Sequence, residues 1–219
     1  TILRKDEMQM IAEIALEHDL YIISDEVYRG MAFDGLEALS MGSINGIEDR
    51  LIIIESVSKR YSACGARIGA ICSHNKVLMA NILKLCQARL CVATLEQIGA
   101  AGLYQLPKSY TESIKNEYQA RRDIVYETLQ TIPGVVCEKP TGAFYVVVKL
   151  PVDDAEKFII WMLEEFEDNG ETIMLAPAEG FYATKGLGKD EVRIAYVLNS
   201  DDMERAMYIL KKGLEKYNS

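Results

Sequence analysis

Leu51-Ile52-Ile53-Ile54-Glu55-Ser56-Val57-Ser58-Lys59 is a β-branched run that ends on two hydroxyls and a lysine, and Gly65, Arg67 and Gly69 follow closely. Upstream, Leu20-Tyr21-Ile22-Ile23-Ser24 is a second apolar run, ending on Asp25-Glu26-Val27-Tyr28. Both runs are too short and too continuous for amphipathic helices and suit buried parallel strands, and the segment between them is long enough for a crossover connection. Ile68 to Cys72 is a third candidate strand. In an open parallel sheet, ligands sit beyond the carboxyl ends of the strands, so Asp25 and Lys59 are expected on one rim. The expected fold class is α/β.

Composition narrows the function. With 219 residues, 49% hydrophobic and 26% charged, the chain has the make-up of a globular protein. A net charge of -9 and a pI near 4.9 argue against nucleic-acid and anionic-membrane partners, which call for clustered Lys and Arg. The apolar stretches fall well short of the roughly 20 residues needed to cross a bilayer, and Thr1 to Glu7 do not read as a targeting signal, so a soluble chain is expected. Cys64, Cys72, Cys86, Cys91 and Cys137 are odd in number and follow no paired spacing, which fits buried thiols in a reducing cytoplasm better than a disulfide framework. His18 and His74 lie far apart, and no CxxC or HxxxH spacing offers a metal site; His18 reads as a helix C-terminal residue rather than a catalyst.

Along the chain, Met8, Ile11, Ala12 and Ala15 mark a first helix, with Asp6 and Glu7 in its first turn. Asn75 to Leu90 reads as a long helix, and Thr94-Leu95-Glu96-Gln97 reads as a capping box that restarts another, running to about Gln105. Beyond Pro107, Ile114, Tyr118, Arg121, Val125, Leu129 and Ile132 form one helical stripe that stops at Pro133-Gly134. Ala155 to Phe166 forms a stripe closed by Gly170, and Met203 to Tyr217 forms the last. Strands are expected over Ala143 to Lys149, Thr172 to Leu175 and Glu191 to Tyr196. The pattern divides into residues 1–75 as part of an α/β domain, 76–106 as interdomain helices, and 107–219 as a smaller α+β domain.

The two rim residues and the glycine-flanked arginine match the needs of pyridoxal phosphate: an amine to anchor the aldehyde, a carboxylate for the pyridine nitrogen and a clamp for the phosphate. Lys59 is the candidate anchor and proton shuttle. Asp25 is the pyridine partner, and Tyr28 is placed to donate to the ring phenolate oxygen. Arg67 and Ser56 supply phosphate donors, while Gly65 and Gly69 allow close backbone approach. Arg193, in Val192-Arg193-Ile194-Ala195, is an arginine on a strand that wants a planar carboxylate, which in an amino-acid enzyme is the substrate's own. Glu26 reads as structural and Cys64 as a packing residue.

Taken together, Asp25-Glu26-Val27-Tyr28, Ser56-x-Ser58-Lys59 with Gly65-x-Arg67-x-Gly69, Pro140-Thr141-Gly142-Ala143-Phe144-Tyr145, and Ala176-Pro177 leading to Arg193-Ile194 resemble the fold-type I, class I/II aminotransferases, in that family's order. The resemblance implies the end of the cofactor-binding large domain, a mostly parallel sheet, followed by the smaller C-terminal domain. It implies Lys59 as cofactor lysine and general base, with Asp25, Tyr28, Ser56, Arg67 and Arg193 in the roles above. It also implies transfer of an amino group from an L-amino acid, of the aspartate or aromatic class, to a 2-oxo acid, in a homodimer when complete. The Asn-Pro-x-Gly motif, the glycine-rich phosphate-binding helix start and the ring-stacking aromatic of the family are missing, so the chain is expected to be about half of an enzyme, with exposed apolar faces and an open sheet edge. A carbon-sulfur lyase of the same fold, a fragment inactive alone, and a cofactor-free regulatory module are the alternatives.

Overall fold

The computed structural model of the chain describes residues 2–219. Its backbone divides into two compact units, the first ending at Lys115 and the second running Asn116–Ser219.

In the first unit, α1 (Lys5–Glu17) begins where the Arg4 N–H donates to Glu7 Oε2 at 2.7 Å, with Asp6 and Glu7 complementing the helix dipole. His18 caps its C-terminus, its N–H reaching the Ile14 carbonyl. β1 (Ile22–Asp25) then pairs in parallel with β2 (Leu51–Ser56), Asp25 standing opposite Ile54. β2 runs directly into the single turn α2 (Val57–Arg60), and β3 (Gly69–Cys72) returns antiparallel to β2 with Gly69 opposite Ser56. The order is β1-β2-β3. Below the sheet, Met8 and Ala12 of α1 pack with Met41, Ile44, Ile47 and Leu51. Each fully buried large apolar side chain contributes about 1.5–3 kcal/mol.

The sheet is less buried than its apolar sequence predicts. Ile23 is 66% exposed and Ile71 41%, and β3 is open along its whole length. α3 (Lys76–Ala88) and α4 (Thr94–Leu103) also carry exposed Val77, Leu83, Leu85, Leu95 and Ile98. α3 is capped by Asn75, whose side chain accepts from the Leu78 N–H. The expected capping box at Thr94 does not form: Ala93 is the N-cap, without a side-chain bond, and Thr94 is already helical.

α5 (Lys108–Gln130) spans the division between the units. In the second unit, β4 (Tyr145–Lys149), β5 (Ala176–Pro177) and β6 (Glu191–Ala195) form an antiparallel sheet in the order β4-β6-β5. Val146, Val148, Val192 and Ile194 are buried on one face, as are Phe158 and Met162 of α6 (Ala155–Glu164) and Met203, Met207, Leu210 and Leu214 of α7 (Ser200–Tyr217). Gly213 lets α7 approach Met162 so closely that a Cβ there would overlap its sulfur. Three sequence expectations shift. The strand expected from Ala143 starts at Tyr145, because Ala143 is left-handed at φ 65°. α6 stops at Glu164, and Gly170, at φ 78°, serves a turn in which Asp168 and Glu171 bridge. Of the strand expected over Thr172 to Leu175, only Ala176–Pro177 pairs.

Candidate active site

The first unit brings Asp25, Tyr28, Ser56, Lys59 and Arg67 to one end of the β1-β2 pair. Asp25 is the last residue of β1 and Ser56 the last of β2, and α2 places Lys59 one turn further on. Because β1 and β2 are parallel, both carboxyl ends face the same way.

Asp25 is exposed; its Oδ1 accepts the Val27 N–H at 3.2 Å, and among the described residues it has no cation within ion-pair distance. That bond starts the turn that carries Tyr28, whose half-buried ring lies 5.8 Å from the Lys59 Nζ. Ser56 caps α2: its Oγ accepts the Ser58 N–H at 3.0 Å, bonds the Ser58 hydroxyl at 2.8 Å and donates to the Ile68 carbonyl at 2.9 Å. The hydroxyl is thus occupied by the turn it builds. Arg67 is left-handed at φ 54°, exposed, and donates Nη1 to the Cys64 carbonyl at 2.9 Å. Its other guanidinium donors have no partner among the described residues, and no carboxylate pairs with it. Gly69 is required by contact, since a Cβ would stand 3.0 Å from the Glu55 carbonyl oxygen, whereas the space beside Gly65 is open.

Ser56 and Arg67 also line a cleft of about 700 Å³ with Ile71, Met79 and Leu83, a volume ordinary for a small-molecule or cofactor site. A carboxylate without a cation and a guanidinium without an anion, at one end of one sheet, are the complements of a protonated pyridine nitrogen and a phosphate. The residues present therefore fit pyridoxal phosphate, and Lys59 stands at the same end of the strand pair.

Arg193 lies in the second unit on β6, the central strand, opposite Val147 and Ala176. It is half-buried. Its guanidinium is 5.7 Å from the Tyr145 ring centroid and 5.0 Å from that of Phe181, and no carboxylate pairs with it among the described residues.

Two buried charges hold the surroundings. Glu26 is 7% exposed; its Oε1 accepts from Met41 N–H and Ser40 Oγ, both at 2.9 Å, and from Ser24 Oγ at 3.2 Å, while Oε2 pairs with Arg29 at 3.2 Å. This carboxylate is structural, as its sequence context indicates. Arg122 was not expected, because the helical stripe on α5 passes through Arg121. Arg122 is fully buried, donates Nη1 to the Pro140 carbonyl and sets Nε 2.8 Å from Asp123 Oδ1. From α5 it braces the turn before β4, which the Tyr196 hydroxyl also holds, 3.3 Å from the Ala143 carbonyl. Burial raises the Tyr196 phenol well above its usual range, opposed in part by Arg122. The signal available in sequence was the Arg121-Arg122-Asp123 run itself, which does not say which arginine turns inward.

The family described as aminotransferase class I and II matches residues 1–210. Aspartate aminotransferase of Bacillus subtilis (strain 168) is 28% identical over 222 residues, covering 98% of this chain and 54% of the relative. Aromatic-amino-acid aminotransferase 2 of Thermococcus litoralis is 29% identical, again covering 98% and 54%. The crystal structure of an aromatic aminotransferase from Pyrococcus horikoshii OT3 superposes with a TM-score of 0.86 at 27% identity, covering 100% of this chain and 57% of that one. The chain spans about half the length of the curated relatives it matches.

Proposed function

The chain belongs to the class I and II aminotransferase family, and from that premise we propose that it forms the lysine-bearing part of an enzyme that moves an amino group from an L-amino acid to a 2-oxo acid. Aspartate and aromatic amino acids are the proposed donors, after the relatives named for them. The observation that carries the reading is the convergence of Asp25, Lys59 and Arg67 at one end of a parallel strand pair, the acid and the guanidinium having no ionic partner among the described residues.

The cofactor of this family, pyridoxal phosphate, supplies when bound an aldehyde that condenses with amines and a ring that accepts the electrons left when a substrate α-proton departs. Lys59 Nζ is the amine that anchors it. As an amine not bound to the aldehyde, the same Nζ would hold the proton taken from a substrate α-carbon. Asp25 would hold the pyridine nitrogen in its protonated form. Tyr28 would donate its hydroxyl to the phenolate oxygen, and its ring lies beside Lys59. Arg67 would turn to the phosphate the guanidinium donors that have no partner among the described residues, and Ser56 would join it by exchanging its bond to the Ile68 carbonyl. Arg193 holds the substrate carboxylate.

The setting proposed is a cytoplasmic homodimer. The five cysteines are unpaired, which supports a reducing compartment, but Cys64, Cys72, Cys86 and Cys91 are exposed rather than buried as the sequence suggests, so Cys64 is not a packing residue; the exposed apolar residues of α3 and α4 support a partner surface. No helix among the described residues is long and apolar enough to cross a membrane. The proposed working division remains 1–75 for the cofactor, 76–106 for interdomain helices and 107–219 for the small domain.

The direct test is to incubate the purified chain with pyridoxal phosphate, reduce with borohydride and map the modified lysine by peptide mass spectrometry. One stoichiometric label on Lys59 supports the assignment. Scattered labelling of surface lysines overturns it for this chain.

A further inference from the structure

Phe181 is a large apolar residue left 61% exposed at the end of the turn Glu179–Phe181, and its ring lies 5.0 Å from the Arg193 guanidinium. Tyr145 is the second ring, at 5.7 Å. It stands opposite Ala195, and residues two apart on a strand share a face, so Tyr145 and Arg193 lie on the same side of the sheet.

The backbone that presents Tyr145 is held on several sides. The Tyr196 hydroxyl bonds the carbonyls of Ala143 and Tyr145 at 3.3 and 3.4 Å, and Arg122 holds the Pro140 carbonyl. Phe144 stacks on Tyr118 at 5.5 Å and meets Tyr145 edge to face. These contacts retain Ala143 in a left-handed conformation that a residue with a Cβ adopts at a cost.

We propose that Tyr145 and Phe181 are positioning residues that orient the Arg193 guanidinium for the carboxylate of an amino acid or 2-oxo acid. The inference rests on the carboxylate role assigned to Arg193 above. An arginine can be held by an acid or by aromatic faces, and the two differ in outcome. An acid neutralises the guanidinium and competes with an incoming carboxylate. Rings restrict the side chain and remove water from its faces, while the charge and the in-plane N–H fork stay available for a bidentate partner. Arg193 has the second arrangement.

The test uses the full chain with arginine labelled with nitrogen-15, following the Nε–Hε signal assigned by its loss in Arg193→Lys. The probe is 3-phenylpropionate, a carboxylate with no amino group to react with a cofactor. Expected is an ordered Arg193 signal that shifts saturably with the probe. Phe181→Leu and Tyr145→Leu each make that signal mobile and weaken binding roughly five- to thirtyfold, the loss of one cation–π contact. Tyr145→Phe, which keeps the ring, stays within about twofold of wild type on the same scale. Should the Leu variants keep both order and affinity, the inference is overturned while the carboxylate role stands. Should the wild type show no saturable shift, or Arg193→Lys bind equally well, the carboxylate role fails and the inference with it. If Tyr145→Leu does not fold, Phe181→Leu, at an exposed turn, decides the matter alone.

Discussion

The guanidinium of Arg122 reaches from α5 to the carbonyl of Pro140, so a fully buried cation fixes the start of the turn that leads into β4. Its Nε lies 2.8 Å from Asp123 Oδ1, and Lys139 approaches the same oxygen at 3.1 Å. Removing the buried Arg122 leaves the Pro140 carbonyl and the half-buried Asp123 without it. Arg122→Ala is expected to cost about 3–5 kcal/mol, read as a fall in the urea midpoint. Arg122→Met, which refills the volume without a charge, should cost less. An unchanged midpoint for Arg122→Ala would remove Arg122 from the framework of the turn.

Glu26 acts the same way in the first unit, where its carboxylate gathers Ser24, Ser40, the Met41 N–H and Arg29. Met41 belongs to the core beneath the sheet, so this acid ties the segment after β1 to that core. Glu26→Gln retains an acceptor but loses the charge facing Arg29, and about 1–2 kcal/mol is the expected loss. Glu26→Ala leaves the buried Met41 N–H without its acceptor and should cost about 3 kcal/mol or more. Amide hydrogen exchange at Met41 gives a local readout: the alanine variant should exchange faster there than at the strand amides of β6. Equal protection in wild type and variant would count against the assignment.

Burial, then the charge of Glu138, pushes the Cys137 thiol up from 9.0 to about 11. The sign follows directly. A folded value above the unfolded one means that this thiol's contribution is fully present below pH 9 and is lost as pH rises from 9 towards 11, because the unfolded chain ionises first. The site is only half-buried, so solvent screening reduces the effect to on the order of 1 kcal/mol. Unfolding free energies of wild type and Cys137→Ala, measured from pH 8 to 11, should show the wild type losing ground across that window. A constant difference would mean that the thiol does not titrate differently on folding.

How much of this was legible in the sequence depended on whether a residue's neighbours were local. Asp25, Lys59 and Arg67 could be placed because strand ends and glycine spacing are written in consecutive residues, and the faces of α1 and α7 because helical periodicity is. Thr94 was misread as a cap because the backbone turns helical one residue sooner than its pattern requires. Gly170 was misread as the stop of α6 because its left-handed conformation belongs to a separate turn. Arg122 rather than Arg121 turned inward because the Pro140 carbonyl waits there, a partner no periodicity reveals. Arg193 is half-buried between aromatic groups drawn from β4 and the turn after β5, which only the folded chain brings together.

Arg67 separates specific from incidental cofactor binding. Lys59 alone can condense with any aldehyde that reaches it, as surface lysines do, so labelling by itself says little about the phosphate. The guanidinium donors of Arg67 that have no partner among the described residues are what would recognise a phosphate. A hydrogen bond to a charged group contributes about 1.5–3 kcal/mol, so Arg67→Ala should weaken pyridoxal phosphate binding by roughly ten- to a hundredfold or somewhat more, measured by absorbance titration. Inorganic phosphate should compete with the cofactor for the wild-type chain and lose that effect in Arg67→Ala. If phosphate competes equally well against both, the anion is held elsewhere. If Arg67→Ala binds the cofactor as the wild type does, the clamp assigned to Arg67 is wrong even where Lys59 carries the label.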